Sequence, residues 1–372
     1  MTTASAFTDF DRRAMTRALE LAERGAQTTH PNPRVGCVVA HGEQIIAEGW
    51  HERAGGPHAE VEALRALSAK SGDAAAAGAT VYVTLEPCSH HGRTPPCADA
   101  LINARVRRVV MAVQDPNPKV AGRGAEALKR AGIEVETGLM AAEAEELNIG
   151  FFMRMRAGRP FVRVKVGMSL DGRTALANGA SKWITGEAAR EDVQQWRARS
   201  SAVLTGIGTV LADDPRLDVR LAGAWRQPLR VVLDTKLRTP PSARLFNGEP
   251  KALVFTASSD AASISALQQR GAQIEKLEPL PPAAQLRAVL ARLGQLGVND
   301  LLVEAGPTLA GALVQHGLAD ELLLYIAPRL LGPQARPLFD LPPLEDLHNA
   351  PGFRIIDQRR IGNDLRVQLR VT

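Results

Sequence analysis

The sequence predicts an α/β protein of two domains, on three observations. Its 372 residues exceed what one hydrophobic core usually organises. Short apolar, β-branched runs at 79–84, 106–113, 161–166, 201–205, 229–234, 251–256 and 300–303 alternate with stretches of helical apolar spacing. That alternation implies parallel strands joined by crossover helices and an α/β sandwich. A basic, turn-rich joint, Arg154-Met155-Arg156-Ala157-Gly158-Arg159-Pro160, separates two such series. Domains are therefore expected at 1–148 and 149–372.

The first half opens with an amphipathic helix over 9–24, where Phe10, Met15, Ala18, Leu19 and Ala22 recur at helical spacing. His30-Pro31-Asn32-Pro33 is held extended by its prolines and feeds a strand at 35–40. A hairpin through His41-Gly42-Glu43 returns the chain along 44–49 to His51. A helix from Pro57 continues to residue 70. Further helices are expected at 96–104, 122–131 and 141–156, with a short strand at 134–137. In the second half the expected helices are 187–199, 261–270, 286–296 and one from Pro307. An antiparallel pair, 353–360 with 364–371, closes the chain around Gly362-Asn363.

Composition excludes more than it identifies. Hydrophobic and charged fractions of 45% and 23% are those of an ordinary globular protein. Aromatics make up only 4%, too few for a stacking platform for single-stranded nucleic acid. The net charge of +5 is spread over both halves with no Lys/Arg block. Three cysteines, an odd number, give no disulfide framework. Cys37 lies in an apolar run and reads as a small buried hydrophobe. Residues 1–13 lack the apolar core of a signal peptide. No apolar run reaches the ~20 residues of a membrane span. The expectation is a cytoplasmic protein with no nucleic-acid or membrane partner.

The chemistry of the first half lies in Pro57-His58-Ala59-Glu60, Glu86-Pro87-Cys88 and Cys97. This is the pattern of zinc-dependent deaminases: His58, Cys88 and Cys97 as ligands of Zn²⁺, Glu60 as proton shuttle. Three protein ligands leave one tetrahedral position open, which makes a site catalytic. A helix start near Pro57 puts His58 and Glu60 on one pocket. The cysteines are separated by eight residues where a two-residue spacer is usual. The intervening His90, His91 and Arg93 suit an anionic substrate, a phosphate above all. Asn32 and His51 stand at strand ends from which both can reach the same pocket, a turn Asn and an exposed His being the alternative reading of each. Two rivals stay open: a nucleic-acid deaminase with a binding appendix, and a structural zinc closed by His90 or His91 as fourth ligand.

The second half carries no such cluster. Its glycine turns, Thr205-Gly206-Ile207-Gly208-Thr209 and Glu304-Ala305-Gly306-Pro307, stand at strand ends and open helices. Helix N-termini bind phosphate. Leu211 stands where a dinucleotide fingerprint needs its third glycine, so a standard Rossmann domain is not supported.

Taken with Ser89-His90-His91-Gly92-Arg93-Thr94-Pro95-Pro96, Ser169-Leu170-Asp171-Gly172-Arg173, Ala212-Asp213-Asp214-Pro215 and Glu304-Ala305-Gly306-Pro307-Thr308, these motifs resemble the bifunctional riboflavin-biosynthesis deaminase/reductase family over essentially the whole chain. The eight-residue spacer is that family's own pattern. The resemblance implies a cytidine-deaminase-like α/β/α sandwich followed by a dihydrofolate-reductase-like α/β domain. It implies Zn²⁺ and NADPH as cofactors, a phosphorylated pyrimidine as substrate and a homo-oligomer. Substrate contacts fall on Asn32, His51 and Arg93 in the first half. In the second they fall on Ser181, Arg197, Leu217, Arg220 and Glu304, with Arg197 and Arg220 suited to a ribose phosphate. NADPH contacts fall on Gly167, Trp183, Thr209, Asp213, Thr235 and the turn Gly306, Pro307, Thr308, Leu309, Ala310, Gly311 and Ala312. The proton donor of the reductive step is left without a residue.

Overall fold

The computed structural model describes residues 7–89, 96–118, 120–223 and 226–372. The chain divides into two compact units, Met1–Gly158 and Arg159–Thr372.

The first unit runs α1 (Asp9–Glu23), β1 (Gly36–His41), β2 (Gln44–Trp50), α2 (Ala59–Ser71), β3 (Thr80–Val83), α3 (Cys97–Asn103), β4 (Arg108–Met111), α4 (Arg123–Arg130), β5 (Glu134–Thr137), α5 (Ala141–Leu147) and α6 (Ile149–Ala157). Its sheet order is β2-β1-β3-β4-β5. The pairing is mixed: β3, β4 and β5 are parallel, but β1 is antiparallel to both neighbours. The hairpin turns β1 around, which the alternation rule alone did not foresee. Strand side chains alternate between faces. Val38, Ala40, Tyr82 and Val110 pack with α1 and α6. Cys37, Val39, Val81, Val83, Val109 and Met111 pack with α2, α3 and α4. The result is an α/β/α sandwich with Cys37 fully buried. Gly49 lets α2 close on β2: a Cβ there would meet the Ala63 backbone nitrogen at 2.4 Å.

The helix expected at 141–156 is in fact two, broken at Asn148. Its side chain accepts from the Arg34 N–H at 2.8 Å and donates to the Arg34 carbonyl at 2.9 Å. An amide that binds a distant backbone in this way competes with helix continuation. The second piece, α6, belongs to the first unit.

The second unit runs β6 (Phe161–Ser169), β7 (Arg173–Ala175), α7 (Glu187–Arg199), β8 (Ala202–Gly206), α8 (Ile207–Asp213), β9 (Leu229–Leu233), β10 (Leu253–Thr256), α9 (Ala261–Gln269), β11 (Gln273–Lys276), α10 (Pro282–Gln295), β12 (Asp300–Val303), α11 (Pro307–Gln315), β13 (Glu321–Ala327), β14 (Arg336–Pro337), β15 (Phe353–Ile361) and β16 (Asp364–Val371). The main sheet has the order β11-β10-β9-β8-β12-β6-β13-β16-β15. It is parallel from β11 to β13, and the β16–β15 pair adds the antiparallel edge. One face buries Val164, Leu204, Val231 and Val303 under α10 and α11; the other buries Val203, Leu302 and Tyr325 under Trp196 of α7. The apolar run of β13 was not foreseen as a strand, because periodicity does not separate a short buried strand from a buried helix.

Candidate active sites

His58 is the residue before α2, in extended backbone and with no capping bond from its side chain. Glu60 follows in the first turn, 3% exposed. Cys88 lies in the turn after β3, and Cys97 is the first residue of α3. His58 Nδ1 lies 3.5 Å from Cys88 Sγ and 3.2 Å from Cys97 Sγ. The three candidate ligand atoms all fall within 4.8 Å of one another. The Cys97 N–H, at the start of α3, donates to Cys88 Sγ at 3.3 Å. The Cys97 thiol beside it, helped by His58, draws the Cys88 thiol well down against the effect of burial. The Cys97 thiol is pushed up in turn, by Cys88 and by burial. Two soft sulfurs sharing a proton beside an imidazole form a donor set that fits Zn²⁺, which takes thiolates and histidine nitrogens.

His51 and Asn32 join this centre. A carbonyl only accepts, so His51 Nδ1–H donates to Pro57 O at 2.8 Å, and Nε2 is left to accept from Asn32 Nδ2 at 3.1 Å. The His51 and His58 rings meet edge to face, 5.3 Å between centroids. Burial lowers the pKa of His51, which keeps it neutral. Arg93, like His90 and His91, lies outside the described residues.

The sequence reading gave Glu86 no role of its own. It is 3% exposed, and its carboxylate accepts from the backbone N–H groups of Asp115, Gly122, Gly124 and Ala125 at 2.9–3.2 Å. It thereby ties the turn before Cys88 to the start of α4. An acid in front of Pro-Cys with no metal to bind was the only signal.

In the second unit, a cavity of about 1230 Å³ opens at the C-terminal ends of the central strands. Its wall gathers Gly167, Ser181, Trp183, Arg197, Thr209, Asp213, Leu217, Arg220, Thr235, Glu304, Gly306, Pro307, Thr308, Leu309 and Ala312. Two residues of the expected cofactor turn do not line it. Ala310 is buried in the core, and Gly311 abuts the Asp340 backbone, where a Cβ would meet the carbonyl oxygen at 2.7 Å. One face of α11 packs on the sheet, so only the other can meet a ligand.

Glu304 is the electrostatic centre of this cavity. It accepts from Arg197 at 2.5 and 3.0 Å, and Lys165 Nζ lies 3.0 Å away. Burial alone would raise its pKa; the two cations overcome that and hold it far below the usual carboxylate range. The Arg197 guanidinium, also bonded to the Asp218 carbonyl, is thus committed to protein oxygens. Arg220 is half-exposed and meets Asp218 Oδ1 at 2.6 Å. Lys165 escaped the sequence reading because a lone Lys inside an apolar strand carries no motif. The Ser169-Leu170-Asp171-Gly172-Arg173 motif is architectural. Asp171 accepts from Ser169 Oγ and from the Leu331 and Gly332 amides.

Residues 8–113 match the cytidine and deoxycytidylate deaminase zinc-binding region, and residues 160–367 match the RibD C-terminal domain. Riboflavin biosynthesis protein RibD of Escherichia coli is 50% identical over 371 residues, covering 96% of this chain and 99% of that protein. The chain belongs to the RibD family. The solved RibD of Acinetobacter baumannii superposes with a TM-score of 0.90 at 46% identity, over 98% of this chain and 99% of that one. A diaminohydroxyphosphoribosylaminopyrimidine deaminase/5-amino-6-(5-phosphoribosylamino)uracil reductase of Thermotoga maritima gives 0.86 at 35% identity, with the same coverage. As a RibD the chain is a bifunctional enzyme of riboflavin biosynthesis, a zinc-dependent deaminase joined to an NADPH-dependent reductase. Among the described residues no helix is long and apolar enough to cross a membrane.

Proposed function

We propose that the first unit deaminates 2,5-diamino-6-(5-phosphoribosylamino)pyrimidin-4-one and that the second reduces the ribosyl group of the product to ribityl. The observation that carries this reading is the cluster of His58, Cys88 and Cys97, with ligand atoms within 4.8 Å, beside the buried Glu60. Zn²⁺ held by these three residues would supply Lewis acidity and bring a water pKa to about 7. Glu60, close to the cluster but outside it, takes the proton of the attacking water on its carboxylate and passes it to the departing amine. The neutral His51 and Asn32 hold the pyrimidine edge by hydrogen bonds. Arg93 is assigned to the substrate phosphate.

In the second unit NADPH supplies a hydride. The amides at Gly306 and the start of α11 would hold its phosphates, and Gly167, Trp183, Thr209, Asp213 and Thr235 would hold the rest. Reduction to ribityl would put that hydride on C1′ of the sugar, with the C1′–O4′ bond broken and a proton delivered to O4′. Lys165 is the donor. Its Nζ lies 3.0 Å from Glu304 Oε2, and both residues line the cavity. Ser181, Leu217 and Arg220 seat the substrate, while Arg197 acts through Glu304. The enzyme is a cytoplasmic homo-oligomer on this reading, with the exposed outer strand β15, where Ile355 is 61% exposed, as the face available to a second copy.

The test is turnover of the phosphoribosylaminopyrimidine by zinc-loaded enzyme, with ammonia release and NADPH oxidation followed separately. Ammonia without NADPH, and NADPH oxidation only after ammonia, is the expected result. NADPH oxidation preceding ammonia would overturn the order. Ammonia alone would remove the reductase assignment from the cavity. Lys165→Met should cut the reductive rate and leave NADPH binding intact; unchanged turnover would sink the proton-donor role.

A further inference from the structure

Two cations on the reductase cavity, Arg238 and Arg336, have no hydrogen-bond or ion-pair partner among the described residues. The chain leaves β9 at Leu233 through the turn Asp234-Thr235-Lys236-Leu237-Arg238-Thr239. This turn is braced from inside. Asp234 is fully buried, and its Oδ2 accepts from the Thr239 N–H and hydroxyl, both at 2.7 Å. The Leu237 N–H closes onto the Asp234 carbonyl at 3.0 Å, and Leu237, at φ 51°, is buried. A turn fixed in this way presents the exposed Thr235 and Arg238 on the cavity wall.

Arg238 makes no hydrogen bond or ion pair with any described residue. Other cations of the wall are engaged: Lys165 and Arg197 by Glu304, Arg220 by Asp218, Arg244 by Asp214. Arg336 is also uncommitted, but it lies on β14 against Gly179, beside the segment that follows β6.

The order β9-β8-β12-β6 sets the geometry. Along the C-terminal edge the wall passes from the Arg238 turn, through Thr209 after β8 and Gly306 after β12, to Lys165 on β6. At about 4.8 Å per strand, the Arg238 turn stands about 14 Å from β6. A dinucleotide laid along that edge has its nicotinamide at Lys165 and Glu304 and its pyrophosphate on the amides of α11. Its adenosine then reaches the end of β9. NADPH differs from NADH only by a phosphate on the adenosine 2′ oxygen. We infer that Arg238 is the specificity-determining residue that takes this 2′-phosphate and so makes the site select NADPH over NADH. The guanidinium fork matches phosphate oxygens two at a time, and the Thr235 hydroxyl lies on the same turn. This inference rests on the reading of the cavity as the dinucleotide site.

The test titrates full-length wild type, Arg238→Ala and Arg238→Lys with NADPH and with NADH by nicotinamide fluorescence. Displacement by 2′,5′-ADP is measured in parallel. Arg238→Ala should raise the Kd for NADPH about 10- to 100-fold, leave that for NADH where it was, and weaken 2′,5′-ADP by the same factor. Arg238→Lys should fall between. Equal losses for both dinucleotides, or no loss for either, would overturn the assignment. So would a loss confined to ribose 5-phosphate, which would give Arg238 to the substrate. A wild type that binds neither dinucleotide overturns the cavity reading and this inference with it. An insensitive variant of a wild type that binds NADPH overturns Arg238 alone.

Discussion

The two sites are built in opposite ways. The metal centre draws its residues from the start of α2, the turn after β3 and the start of α3, each inside a short motif. The reductase cavity is collected from the ends of β9, β8, β12, β6 and β13. Its central charges, Glu304 with Arg197 and Lys165, form a buried cluster, and that pairing is decided across strands. A ligand that must be Cys or His at a fixed spacing announces itself in sequence. An Arg that may serve a phosphate or a carboxylate does not.

That contrast predicts different failures. The largest effect is expected for Cys88→Ser, which removes one of the three proposed zinc ligands. Bound zinc and ammonia release should both be lost, while NADPH oxidation with the deaminated substrate persists in a folded protein. Loss of both activities with the fold intact would mean the sites are not separable.

Glu304→Gln comes next. It leaves Lys165 and Arg197 without their counter-charge, which costs about 3–5 kcal/mol when one partner of a buried pair is removed. The pH dependence sharpens the point. Glu304 has its pKa depressed in the fold, so its contribution is complete above the unfolded carboxylate value of about 4.3 and fades as acid protonates the unfolded chain first. Denaturant titrations from about pH 6 to about pH 3 should show a shallower loss of stability in the Gln variant than in wild type. Parallel curves would contradict the ion-pair account.

A smaller effect is expected where support of the metal site depends on close approach. A Cβ at Gly124 would stand 1.9 Å from the Pro87 carbonyl oxygen and 3.2 Å from Glu86 Oε1. Gly124→Ala must therefore move the turn that carries Cys88. Zinc affinity, read by competition with a chelator, should fall about 10- to 100-fold, as for other losses of outer support. Undisturbed affinity would show that the turn yields without moving the ligand.

The smallest is Asn148→Ala, which removes the amide that accepts from the Arg34 N–H and donates to the Arg34 carbonyl. It should cost about 1–3 kcal/mol in thermal or denaturant unfolding and leave zinc content unchanged. If stability does not move, Asn148 is not what breaks the helix between α5 and α6.

Much of the first unit was legible because its signals are local. The prolines around Asn32, the hairpin at Gly42 and the His58-Ala59-Glu60 helix start each constrain the chain within a few residues. The antiparallel placing of β1 against β3 was not legible, since strand neighbours are a long-range choice. In the second unit Gly206 and Gly306 were read as helix openings at strand ends, and they are. The partner of Arg197, the place of Lys165 and the two faces of α11 were not.

The sequence by itself picked out His58, Cys88 and Cys97 as a candidate metal set with Glu60 beside them, the α/β class and the family. Each is a matter of residue type and spacing along one chain. The tertiary structure decided which charges neutralise one another. It decided that Glu86 ties Cys88 to α4, that Ala310 and Gly311 face inward, and that Arg238 stands uncommitted on a braced turn. The reason is that burial and pairing depend on which strand ends meet in space, and hydrogen bonds such as those of Glu86, Asn148 and Glu304 form between residues far apart in the chain.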